Sequence, residues 1–91
     1  MNEPTISRRD SRRLVKFLIK GGISRGPSDD TYYIFADNKT FRVKVLNRKP
    51  GLSHVSVDFD GQIVFFANSW AFVLVDKIDR SWRVDIKDWY S

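Results

Sequence analysis

The chain has no cysteine and only one histidine, His54, among 91 residues. Without cysteine there is no disulfide, no thiolate metal ligand and no thiol nucleophile. A lone imidazole excludes His-based metal sites and His pairs, so any metal would need an all-oxygen site. No cofactor and no metal are expected. A cysteine-free chain also suits a reducing compartment, and the expected location is cytoplasmic.

Long apolar runs are missing as well. The longest, residues 70–75, is far below the ~18 residues of a membrane span, so no membrane partner is expected. Arginines near the N-terminus suggest a transit peptide, and Arg8-Arg9 a twin-arginine signal. Asp10 and the brevity of the apolar stretch 14–19, interrupted by Lys16, argue against both. A phosphate-cradling loop is also lacking. The Gly-rich run 21–26 follows an expected helix instead of opening one, which presents the wrong end of the helix dipole to an anion.

Against these absences stand seven Phe, three Trp and three Tyr. A domain this small buries only roughly 60–68% of its unfolded surface. The large aromatic side chains supply the dense core it then needs, which identifies one small folded domain spanning 1–91.

The 16 basic and 11 acidic residues give a net charge of +5. Its distribution is uneven. Within 1–26, Arg8, Arg9, Arg12, Arg13, Lys16, Lys20 and Arg25 face only Glu3 and Asp10, whereas in the rest of the chain nine basic residues balance nine Asp. Segment 38–57 contains Lys39, Arg42, Lys44, Arg48 and Lys49 and no acid.

Residues 7–22 predict a helix, with Ser7 and Asp10 at capping-box spacing and Gly21-Gly22 as its stop. At 100° per residue, Arg8, Arg9, Arg12, Arg13, Lys16 and Lys20 fall within one arc of about 140°. Leu14, Phe17 and Leu18 lie opposite, with Val15 and Ile19 at the border. A wet helix face is ordinarily charged, but it usually mixes signs at i,i+4. Here Arg8/Arg12, Arg9/Arg13 and Lys16/Lys20 are like-charged pairs, and the early arginines oppose the helix dipole. Local rules broken without local gain point to a ligand.

A polar loop, 24–30, precedes segments with period-two alternation. Segments 31–36 and 40–46 predict a hairpin, 54–59 and 62–67 a second across Asp60-Gly61, and 70–78 and 81–87 a third near Asp79-Arg80. The expected fold is α+β: one N-terminal amphipathic helix packed on a curved antiparallel meander of about six strands, the sheet lying within 31–87. Phe41/Val43/Val45, Val55/Val57/Phe59 and Trp82/Val84/Ile86 are expected to point inward. Arg42/Lys44, His54/Ser56/Asp58 and Arg83/Asp85/Lys87 are expected outward. Segments 62–67 and 70–78 are apolar on both faces, which calls for a curled sheet or a partner such as a second copy in a homodimer.

Catalytic constellations are thin. Asp29-Asp30 and Asp58-Phe59-Asp60 are candidate oxygen ligands, but Asp60 before Gly61 is a turn residue. Asp58 with Asp85 and Lys87 on a strand face would match the Asp…Asp-x-Lys arrangement of metal-dependent nucleases. His54 beside Asp58, Arg83 or Lys87 would suit a small metal-independent ribonuclease. Neither outweighs the non-catalytic reading. The expected function is a binding module in which the basic helix face, with Arg25, contacts nucleic-acid phosphates and Arg42, Lys44, Arg48 and Lys49 extend the footprint. Tyr32 and Tyr33 would offer stacking surfaces if one faces outward. The alternative is a phage- or mobile-element-type inhibitor docking on an acidic surface of a host nucleoprotein, with Trp70, Trp89 and Tyr90 as anchors.

Overall fold

A computed structural model describes residues 5–49 and 52–90, with side chains over 5–48 and 53–81. The first helix, α1 (Arg8–Leu18), begins as its sequence dictates. Ser7 is the N-cap, and its Oγ accepts a hydrogen bond from the Asp10 amide at 3.1 Å. Ser11, Val15 and Leu18 are buried, with Leu14 beside them. Val15 is fully buried although it borders the basic arc, while Phe17, opposite that arc, stays 38% exposed with its ring edge-on to Phe41. The core side of α1 is thus rotated toward Val15.

The helix is shorter than the expected 7–22, with its C-cap at Ile19. Four residues then form a strand, β1 (Gly22–Arg25), inside the stretch read as helix end and loop. Gly21 permits this early stop. A Cβ there would lie 2.5 Å from the Phe35 carbonyl oxygen, so the chain can turn tightly against the sheet only with glycine.

Two of the expected hairpins are present. β2 (Thr31–Ala36) pairs with β3 (Lys39–Lys49) across Asp37 and Asn38, both with positive φ, and β4 (Leu52–Phe59) pairs with β5 (Gln62–Phe66) across Asp60 and Gly61, also both with positive φ. Two consecutive residues with positive φ form the tight turn whose twist matches that of the flanking strands. The five strands form one antiparallel sheet in the order β1-β2-β3-β4-β5. Ahead of α1, the Ile6 amide donates to the Phe65 carbonyl at 3.0 Å, and Thr5 bridges the outer edge of β5.

The third hairpin is not a hairpin. Residues 69–90 form one helix, α2 (Ser69–Tyr90), so the described residues hold two helices and five strands instead of one and six. Asn68 starts it: its Oδ1 accepts from the Trp70 amide at 2.9 Å and its carbonyl from the amides of Ala71 and Phe72. Ala71, Leu74, Val75 and Ile78 are buried at helical spacing, and Phe72 is 47% exposed. The strand-face assignments at Trp82, Val84 and Ile86 therefore fail, as do those at Arg83, Asp85 and Lys87. All six belong to α2, where their side chains are outside the description.

Both helices cover one face of the sheet. Val15 and Leu18 from α1 and Ala71, Leu74, Val75 and Ile78 from α2 join Tyr32, Ile34, Phe41, Val43, Val55, Val57 and Phe66 in one core. The inward assignments for Phe41, Val43, Val45, Val55 and Val57 hold. In β5, Val64 and Phe66 share the helix side with Val57 and Val55, while Ile63 and Phe65 pair with Asp58 and Ser56 on the other face. No helix among the described residues is long and apolar enough to cross a membrane.

Candidate nucleic-acid interface

Placement in α1 puts Arg8, Arg9, Arg12, Arg13 and Lys16 on its solvent side, all exposed. Lys20 is exposed in the turn just beyond the helix. Successive members of an i,i+4 row stand about 6 Å apart along a helix axis, so the cations form a continuous stripe. Arg8 is tethered, its Nε donating to Ser69 Oγ at 3.2 Å. For Arg9, Arg12, Arg13, Lys16 and Lys20, no carboxylate among the described residues lies within ion-pair distance. Five cations concentrated on one surface, none ion-paired among the described residues, raise the local potential and attract polyanions.

Arg25, Arg42, Lys44 and Arg48 do not extend this stripe. Arg42 and Lys44 project from the face of the sheet opposite the helices, because Tyr33, Arg42 and Asp58 share one register row and Lys44 pairs with Thr31 and Ser56 on the next. Arg42 Nη2 donates to Asp58 Oδ2 at 2.7 Å. Arg25 on β1 is paired with Asp29 at 3.2 Å. The Lys49 side chain is outside the description.

Arg48 points the other way from Arg42 and Lys44. Between Val45 and Asn47 the β3/β4 register shifts at Leu46, a bulge that inverts the side-chain alternation. Arg48 consequently faces the helix side, where Nη1 donates to Asp79 Oδ1 at 2.7 Å and Nη2 to the Tyr32 hydroxyl at 3.2 Å. Burial alone would lower its pKa. The Tyr32 hydroxyl and the carboxylates of Asp79 and Asp30 outweigh that, holding the guanidinium above its ordinary value. Arg48 is a cross-link between sheet and α2, not a free phosphate ligand.

The catalytic arrangements lose their geometry. Asp85 and Lys87 belong to α2 instead of a strand, with their side chains outside the description, and Asp58 is held by Arg42. His54 and Asp58 are four residues apart along β4, about 13 Å at strand rise. The His54 ring instead lies 6.3 Å from that of Phe65. Among the described residues, no group of three or more His, Asp or Glu is placed to hold a metal ion.

Of the two tyrosines, Tyr32 is buried in the core and Tyr33 is half-buried on the open face of the sheet. Trp70 packs partly buried against the core, so it is not a free anchor, and the side chains of Trp89 and Tyr90 are outside the description. Sequence reasoning missed Phe35, 52% exposed beside Tyr33 on β2. Its signal was the two-faced apolar content of 31–36. Compared with known proteins, the chain matches no family model, no curated protein and no solved structure.

Proposed function

We propose that the protein is a non-catalytic binding module that holds nucleic-acid phosphates on the basic face of α1. The observation that carries this reading is the stripe of Arg9, Arg12, Arg13, Lys16 and Lys20, exposed and without a carboxylate partner among the described residues. Its arginines suit the bidentate geometry of phosphate oxygens. The ligand field is narrower than the full set of basic residues, because Arg25, Arg42 and Arg48 already have carboxylate partners.

An acidic protein surface is the second ligand for the same stripe. Phe17 and Phe72, exposed on the helix layer, would be its apolar anchors.

Purified protein binding a labelled duplex at ~50 mM salt tests the first reading. The triple substitution Arg9→Glu, Arg13→Glu and Lys16→Glu is expected to weaken binding by about tenfold or more. Wild-type protein that binds no nucleic acid at this salt contradicts it. A nuclease-treated pull-down then separates the two ligands: a partner retained after digestion is held through protein, and one lost with digestion was bridged by nucleic acid.

A further inference from the structure

Among the described residues, the helices cover only one face of the sheet. On the other, neighbouring strands place rings beside cations: Tyr33 is the register partner of Arg42, Phe35 follows two residues along β2, and Lys44 and Phe65 flank Ser56 from either side. Phe35 is 52% and Ile63 39% exposed, and Lys44 is exposed. We infer that this open face is a docking platform for the unpaired bases of single-stranded nucleic acid, with Tyr33 and Phe35 as stacking rings and Lys44 as a phosphate contact. The identity of the ligand rests on the nucleic-acid reading of α1, but the residues are different and lie on the opposite side of the molecule.

The chemistry favours this occupant. Tyr33 and Phe35 sit about 7 Å apart on one strand face, and an aromatic ring stacks on any base because every base has a π-face. Bases stacked within a duplex do not offer that face, so the platform discriminates unpaired from paired strands. The local charge also points to an anion. The one acid in the Tyr33 row, Asp58, is engaged by Arg42, which leaves Lys44 as the uncompensated charge. Two copies docked face to face would instead bury Lys44 of each without a carboxylate of this face free to pair with it, at a cost where water is excluded.

The test is fluorescence anisotropy of the full chain with a labelled oligothymidylate of about 12 nucleotides and a duplex of the same length. Phe35→Ala and Tyr33→Ala are each expected to weaken single-strand binding about tenfold and to leave duplex binding within about twofold. Phe35→Leu keeps the apolar bulk at this position and removes only the π-face, so it should show the same loss even where an alanine variant folds poorly. Gln62→Ala, exposed on β5 opposite Phe59 and away from this face, should change neither affinity. Single-strand affinity unchanged in Phe35→Leu and Tyr33→Ala overturns the inference, as does wild-type protein that binds no single strand. A wild-type dimer in sedimentation that Phe35→Ala dissociates, without oligonucleotide binding, also overturns it and assigns the face to a second copy. Failure of the α1 reading is distinguishable: charge reversal on α1 would then leave duplex binding intact, whereas the Phe35 effect on single strands persists.

Discussion

Asn68 Nδ2 donates to Ser11 Oγ at 3.1 Å, and Ser11 Oγ donates in turn to the Ser7 carbonyl at 2.7 Å. The same asparagine caps α2 through its Oδ1. One side chain thus starts the second helix and fastens it to the buried side of the first, whose Val15 and Leu18 pack into the core against the sheet.

Asn68→Ala removes the cap and the inter-helix donor together, and is expected to cost about 1–3 kcal/mol. Asn68→Asp keeps the capping oxygen and loses the donor, so urea denaturation should show a smaller loss, by about 1 kcal/mol. Equal stability of Asn68→Ala and the parent would mean that α2 is started by something else.

The helical phase of residues 69–81 is tested by a pair of substitutions. Leu74 is fully buried and Phe72 is 47% exposed, whereas on a strand the two would share a face. Leu74→Ala should cost about 2–5 kcal/mol and Phe72→Ala less than about 1 kcal/mol. Comparable losses at both positions would support a strand.

Gly21 and Gly22 separate in the same way. A Cβ at Gly21 meets the Phe35 carbonyl oxygen at 2.5 Å, and one at Gly22 meets nothing within 4 Å. Gly21→Ala should destabilise by about 1–3 kcal/mol, while Gly22→Ala should stay within about 0.5 kcal/mol of the parent. A thermal melt that ranks them the other way would contradict the turn described here.

These residues also show where sequence reasoning succeeded and where it failed. Ser7 with Asp10, Asp37-Asn38 and Asp60-Gly61 act through local chemistry, so α1 and two hairpins were legible. The basic arc was legible for the same reason, since it depends only on helical period. Residues 70–78 satisfy both patterns: Phe72, Val73, Val75 and Ile78 favour strands, while Ala71, Leu74, Val75 and Ile78 have helical spacing. The Asn68 cap and burial against α1 decide between them. β1 was hidden because Gly22–Arg25 is short and carries little apolar signal. The bulge at Leu46 leaves no mark in the alternation of residues 40–46, and it alone turns Arg48 from a candidate phosphate ligand into a cross-link to Asp79.

Arg48→Met keeps an unbranched stem but deletes both hydrogen bonds to Asp79 and Tyr32. The pair is partly exposed, so the expected cost is about 1 kcal/mol, with no change in nucleic-acid affinity. A substantial loss of affinity in a fully folded Arg48→Met variant would return Arg48 to the binding surface.

The central claim is that Arg9, Arg12, Arg13, Lys16 and Lys20 neutralise phosphates, and the salt dependence of duplex affinity measures it most directly. Five neutralised phosphates predict a slope of log affinity against log salt of about −4 to −5, falling toward zero in the Arg9→Glu, Arg13→Glu, Lys16→Glu variant. A wild-type affinity that does not change with salt, or a slope that the triple variant leaves intact, would contradict it.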